Sequence, residues 1–328
     1  MKDSGGRGPL SSRTFSFKSP KIKNIQLMKL RNILLCLALV GGLSTSCIKE
    51  DHSDCYNIYY LAMSYMGDGT TEIFPEKIDR VDMYVFDQQG SCVTSTRLSD
   101  SEMKAQLVKL PPLESGTYRI VCVGNAYETK VNSLESKDMA KISFAAQDYI
   151  NGETVSGNDP LYWSAIDYVI EPYNEKKLEE TKTTYFASSH YDVSVEITGV
   201  PLTKAGEMPV VQLVNVSPYT DFNNRAFGEP AVYTMETSFD GVSTMTSINN
   251  IMRHTNHKDV LLRVSRPNGE VLVEKNFADH INRYRIPVED NEVLIPFKVA
   301  FDQVTAEVTV TVPSWYVVDV TPEFKPVN

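Results

Sequence analysis

Along most of the chain the apolar positions recur every second residue, the spacing of a strand with one face on a core and the other in water. Over 304–312, Val304, Ala306, Val308, Val310 and Val312 share one face, and Thr305, Glu307, Thr309 and Thr311 share the other. Val193, Val195 and Ile197 alternate with Ser194, Glu196 and Thr198 in the same way. Further strands are predicted at 58–66, 81–86, 118–124, 210–216, 233–239, 243–248 and 293–299. Turn chemistry lies between them. Asn268-Gly269, Asp240-Gly241 and the Asp87-to-Gly90 run supply residues that accept a positive φ, so each predicts a hairpin. Only 133–141 reads as a short helix, with Ser133 as its cap and Leu134 and Met139 facing inward. Many short strands with close turns predict an all-β protein built of β-sandwiches. The charged segment 171–182 is the candidate linker, dividing the body into 56–182 and 183–328.

The first 55 residues follow different rules. Residues 1–27 are polar and basic without apolar period, and read as an over-extended start, with Met28 the better initiator. Residues 28–46 have the three parts of a secretory leader: Lys29 and Arg31, then an apolar stretch from Ile33 to Val40, then Gly41-Gly42 and small residues up to Cys47. The stretch is too short to span a bilayer. This leader resembles a bacterial lipoprotein signal, with Ser44 where a Leu is usual. The resemblance implies that the Cys47 sulfur takes a diacylglyceryl group and becomes the first residue of the mature chain. Residues 47–55 form an acidic tether. Within it, Lys49-Glu50-Asp51 resembles the export signal of lipoproteins displayed on the outer face of the outer membrane. A plain solvated tether is the other reading.

Charge sharpens the picture. The net charge of −10 conceals +7 over residues 1–47 and −17 over the remainder. A body this acidic repels phosphate backbones, which excludes nucleic acid as a partner. Beyond Cys36 and Cys47 the cysteines are Cys55, Cys92 and Cys122, without a CxxC or zinc spacing. Buried free thiols are the favoured reading, and a Cys92–Cys122 pair stays open. His254 and His257 are the one histidine cluster, and a solvated loop explains them more simply than a metal site. His52 lies in the tether. No motif names a nucleophile, a general base or a cofactor site, so an enzyme is not expected. Tyr56, Tyr59 and Tyr60 form a local aromatic group that suits either a core or a sugar-binding loop.

Several motifs, taken in order, resemble the fimbrillin-associated anchor lipoproteins, which hold the major and minor fimbriae of Bacteroidales. They are Cys47-x3-Asp51-x-Ser53-Asp54-Cys55, the strand ending Phe86-Asp87-x-x-Gly90, Gly116-x-Tyr118 running to Gly124-Asn125, Asp159-Pro-Leu-Tyr162-Trp163, and Pro313-Ser-Trp315. His52 stands where the family often has an apolar residue. The resemblance implies two transthyretin-like (immunoglobulin-like) β-sandwich domains and a lipid-anchored fimbrial subunit on the outer membrane. It also implies stalk subunits as protein partners, joined by strand addition. The 304–312 strand is then either an ordinary inner strand, the simpler reading, or an edge element of that joint. A surface glycan- or host-binding lipoprotein is the alternative function.

Overall fold

The computed structural model describes residues 57–139, 141–174, 176, 179–199, 208–302 and 307–316. In chain order they form β1 (Ile58–Ser64), α1 (Phe74–Lys77), β2 (Val81–Phe86), β3 (Cys92–Arg97), α2 (Asp100–Ala105), β4 (Leu107–Lys109), β5 (Gly116–Gly124), β6 (Lys130–Asn132), β7 (Ser143–Ala145), α3 (Gln147–Asn151) and β8 (Tyr162–Ile170). The chain continues through β9 (Glu179–Tyr185), β10 (Ala187–Ser188), β11 (His190–Thr198), β12 (Val210–Val216), β13 (Tyr219–Asp221), β14 (Ala226–Phe227), β15 (Ala231–Thr234) and β16 (Ser238–Phe239). It closes with β17 (Met245–Met252), β18 (Leu261–Ser265), β19 (Val271–Asn276), α4 (Phe277–Tyr284), β20 (Leu294–Phe301) and β21 (Val308–Thr311).

The all-β expectation holds. Two pairs of sheets face each other across separate cores. The order β4-β1-β9 packs on β10-β8-β5-β2-β3, and alternate residues of each fill the space between: Leu61 and Met63 from β1, Met83 and Val85 from β2, Ile120 and Cys122 from β5. In the second pair, β16-β17-β11-β20-β21 packs on β15-β12-β18-β19, with Val193, Val195 and Ile197 against Leu213, Leu262 and Val264. Each pair contains one parallel ladder, β1 with β9 and β11 with β20, within an otherwise antiparallel arrangement.

A third core explains why the end of β5 is buried on both faces. Val121 and Val123 point away from the first core and meet Ile142, Phe144 and Phe222. Phe144 and Phe222 stack at 4.4 Å, and Tyr84 and Phe86 meet Phe222 edge-on at 5.2 and 5.5 Å. The four-stranded sheet β14-β13-β7-β6 carries these groups, and in it β7 from the first part of the chain pairs with β13 from the second.

Three expectations change. The candidate linker 171–182 is not strand-poor throughout, because Glu179–Tyr185 is β9, paired along its whole length with β1. A cut between 182 and 183 would fall inside that strand, and the chain passes to the second sheet pair at Ser189, between β10 and β11. The helix over 133–141 is absent. Ser133 has φ +57, outside the extended range of an N-cap, and the segment makes two separate turns closed by Ser136 N–H to Ser133 O and Lys141 N–H to Asp138 O. Leu134 and Met139 still pack on the third core. The strand over 233–239 is broken into β15 and β16, because the chain crosses there from one sheet of the second pair to the other.

The helices that do form have legible causes. Ser99 and Glu102 make a reciprocal capping box at the start of α2. Asn276 caps α4, which buries Phe277, His280 and Ile281 and ends at Arg285 in the left-handed region.

Candidate functional site

Three of the motifs quoted above turn out to be joints. In the Phe86-to-Gly90 motif, Asp87 Oδ1 accepts the N–H groups of Gln89 (2.9 Å) and Ser91 (2.8 Å), closing the β2–β3 turn. Gly90 has φ +78, and a Cβ there would stand 2.3 Å from the Lys137 carbonyl oxygen, so only glycine fits. At the far end of β5, Asn125 donates from Nδ2 to Lys77 O (2.8 Å) and accepts the Asp79 N–H at Oδ1 (2.9 Å), fixing the entry to β2.

The Asp159-to-Trp163 motif joins the two parts of the body. Asp159 Oδ2 accepts from Glu128 N–H (2.9 Å), Thr129 N–H (2.7 Å) and the Thr129 hydroxyl (2.6 Å). Leu161 O accepts from Ser189 N–H and lies 2.9 Å from His190 Nδ1. Trp163 donates its indole N–H to Phe222 O at 3.1 Å. Tyr162 reaches Glu292 Oε1 at 3.3 Å.

Glu292 is the centre of this seam. Tyr65, buried at 1 % exposure, donates its hydroxyl to Glu292 Oε1, and Lys77 Nζ lies 2.5 Å from Oε2. Burial alone would raise the Glu292 carboxyl, but the bonds from Lys77 and Tyr65 outweigh it and hold the group below its usual range. Burial, then the Glu292 carboxylate, raise both the Tyr65 and Tyr162 phenols. Asp68 continues the seam, taking Asn291 N–H (2.6 Å) on Oδ1 and Glu292 N–H (2.9 Å) on Oδ2. Arg253 donates to Val288 O (2.8 Å) and to Asp290 O, holding the same loop from its other side. No local signal marks these residues in the sequence. Tyr65 and Glu292 lie 227 positions apart and belong to different sheet pairs.

Sheet edges are the second feature. Of the longer edge strands, β9 carries Glu179, Glu180 and Lys182, and β19 carries Glu274 and Lys275. Charges of this kind discourage edge-to-edge pairing. Two four-residue edges carry no charge: β15, Ala-Val-Tyr-Thr, whose outer side is bridged by Val155, and β21, Val-Thr-Val-Thr, with β20 on one side and no strand on the other among the described residues. The inner-strand reading of 304–312 is therefore replaced for 308–311, and residues 303–306 lie outside the described residues. Val308 is 38 % exposed.

The remaining candidates fall as follows. Cys47, Lys49, Glu50 and Asp51 lie outside the described residues, as do His52 and Cys55. Cys92 and Cys122 are free thiols. Cys122 belongs to the first core and Cys92 packs on the third, on opposite faces of one sheet, which rules out a bond between them without rearrangement. Burial pushes the Cys122 thiol up to about 12, so it is an inert core group. The His254 and His257 rings stand 4.7 Å apart beside Tyr191, and burial lowers both. They are packed groups, not a solvated loop. No set of three metal-binding side chains comes together among the described residues. Tyr59 is core, edge-on to Tyr168 at 5.6 Å.

The paired sheets define an all-β protein of the sandwich class. A family model described as fimbrillin-A associated anchor proteins Mfa1 and Mfa2 matches residues 52–321. The chain belongs to that family. Among solved structures it resembles the fimbrial anchor protein Mfa2 from Porphyromonas gingivalis (TM-score 0.62, 14 % identity, 79 % of this chain and 95 % of that one). It also resembles a proposed adhesin from Bacteroides ovatus (0.63, 13 %, 79 % and 94 %). A third likeness is to a proposed polysaccharide-binding protein from Bacteroides thetaiotaomicron (0.59, 13 %, 75 % and 91 %). Comparison with curated proteins gave no match. Among the described residues no helix is long and apolar enough to cross a membrane.

Proposed function

We propose that this protein is the lipid-tethered end of a fimbria: Cys47 carries acyl chains seated in the outer membrane, and the folded body holds a stalk subunit at the cell surface. Family membership supports a fimbrial anchor or accessory role. The leader ending at Cys47 supports the lipid. One acyl chain holds a protein only marginally, whereas two or more hold it stably. Strand β1 begins eleven residues after Cys47, so the tether enters the fold through the middle strand of a three-stranded sheet. Lys49-Glu50-Asp51 supports display on the outer face.

The observation that carries the contact with the stalk is the β21 edge. Its backbone groups on the outer side lack a partner strand among the described residues, and its side chains alternate without a charge. An incoming strand gains main-chain hydrogen bonds from such an edge and takes its register from alternate side chains. Two domains of roughly equal size, each a sheet pair, remain the working division of the body, with the passage at Ser189.

The test is Val308→Lys, which puts a charge on the edge at an exposed position. Stability should change by no more than about 0.5 kcal/mol. Cells carrying the variant should shed fimbriae into the medium although the protein is present and folded at the surface. Fimbriae retained at wild-type levels would refute β21 as the accepting edge.

A further inference from the structure

A second binding surface lies on the β16-β17-β11-β20-β21 sheet, over β11, β17 and the short edge strand β16, with no residue of β21 in its lining. There a groove of about 450 Å3 is lined by Ser194, Glu196, Glu236, Ile248, Pro313 and Trp315. That volume is within the range of small-molecule sites, roughly 300–1,000 Å3. Three features of the lining need explanation. Trp315 is 57 % exposed and Ile248 74 % exposed, side by side with the groove on a face that is otherwise polar. An indole is among the most rewarding groups to bury, and here it is presented to solvent instead. Ser194 is 91 % buried by its 9 % exposure, and its hydroxyl has no hydrogen-bond partner although it lines the groove. A buried hydroxyl left unpaired is unfavourable, and a ligand hydroxyl would relieve it. Beyond Ile248 a second cleft of about 270 Å3 continues the surface, and there the buried Asn158 Oδ1 is also unpaired.

We infer that this groove binds a neutral oligosaccharide, with a pyranose ring laid on Trp315 and its hydroxyls bonded to Ser194 and the glutamates. A sugar ring has an apolar C–H face that suits the indole. It also has a girdle of hydroxyls, each donor and acceptor, that suits both a serine hydroxyl and acceptor-only carboxylates. Glu196 is held in place by Lys298 at 2.7 Å, so this acceptor is preorganised. The two glutamates, on a body of net charge −17, disfavour uronate, sialate or phosphate ligands. An extended peptide is disfavoured for a different reason. On β11, at the floor of the groove, the backbone N–H and C=O groups are already used in ladders on both sides, so an added strand has only the two residues of β16 to pair with.

The experiment uses detergent-solubilised full-length protein on an array of neutral hexose and hexosamine oligosaccharides, with sialylated and uronate-bearing ones alongside. Saturable binding to at least one neutral class is expected, competed by the same soluble sugar. Trp315→Ala should weaken it about tenfold or more, and Ser194→Ala about threefold. Ser194→Ala removes an unpaired polar group, so its Tm should not fall, which separates lost binding from lost folding. No binding to neutral sugars, preference for acidic ones, or binding unaffected by Trp315→Ala would overturn the inference. So would shedding of fimbriae by Trp315→Ala cells, or a concentration-dependent dimer abolished by that change, since either would mark the groove as a protein contact. Fimbrial retention read on the Val308→Lys variant is a separate measurement, so the two proposals can fail independently.

Discussion

Replacing Glu292 by alanine removes one side chain from which three interactions radiate, and the cost can be worked out group by group. Tyr65 loses the acceptor for a hydroxyl that is buried at 1 % exposure. Leaving such a donor unpaired costs about 1–3 kcal/mol. Tyr162 loses a longer bond of 3.3 Å, a smaller contribution of about 0.5 kcal/mol. The Lys77 pair is part-exposed, with side chains 39 % and 29 % accessible, and contributes between about 0 and 1 kcal/mol. The backbone N–H of residue 292 keeps its bond to Asp68 whichever side chain is present. The total expected for Glu292→Ala is therefore about 2–4 kcal/mol. Tyr65→Phe removes donor and demand together and should cost less, about 1 kcal/mol. Urea unfolding of wild type, both single variants and the double variant gives a cycle whose coupling energy should be about 1–2 kcal/mol. A coupling near zero, or Glu292→Ala within about 0.5 kcal/mol of wild type, would show that the seam contributes shape but little energy.

Acid should destabilise the fold in two separate windows. His190, His254, His257 and His280 are all lowered by burial, His257 and His280 to about 4. They take up protons less readily folded than unfolded, so their stabilisation is complete above about pH 6.5 and is lost as pH falls toward 4. Between pH 7 and 5, His257 and His280 together should contribute a loss of about 3 kcal/mol after allowance for solvent screening; a flat urea midpoint over that range would contradict it. Asp68, Glu72 and Glu292 are depressed carboxyls, so their contribution is present above about 4.5 and is lost only below it. Gly90→Ala should cost roughly 2–4 kcal/mol, since its Cβ would collide with a backbone carbonyl, whereas Gly241→Ala, at φ +79 with nothing within 4 Å, should cost only about 1 kcal/mol of backbone strain. Equal losses at the two positions, measured by thermal melting, would show that the close approach to Lys137 is relieved cheaply.

The period-two pattern made the strands legible because a half-buried strand must alternate, and β11, β12, β18 and β20 all do. Asn-Gly and Asp-Gly placed the hairpins at 268–269 and 240–241 for an equally local reason. What could not be read was set by distant partners. The end of β5 looks like one more alternating strand, yet its outer residues Val121 and Val123 are buried because Phe222, about a hundred positions on, covers them. The 179–185 segment is rich in charge and looks like a linker, but the parallel ladder with β1 makes it a strand. Glu292 is one acid among many until the fold brings Tyr65, Lys77 and Tyr162 around it. In contrast, α2 could have been found: Ser99 followed by Glu102 is a capping box in plain view. Of the site, the family motifs were visible as patterns, and the structure supplies their reasons as turns, close approaches and ties across the seam. The uncharged edge at β21 was foreshadowed by its alternation, while its position at the end of a sheet depends on pairing with β20 and was not.

Everything proposed for the role of this protein depends on a hydrocarbon attachment at one sulfur. Cys47→Ser leaves the folded body untouched and removes the atom that would be acylated. In cells carrying that variant, the amount of fimbriae bound to cells should be compared with the amount free in the culture medium. Fimbriae released into the medium, with wild-type fimbriae retained, is the expected outcome. Fimbriae held on the cells as firmly as in wild type would contradict the lipid-tethered anchor.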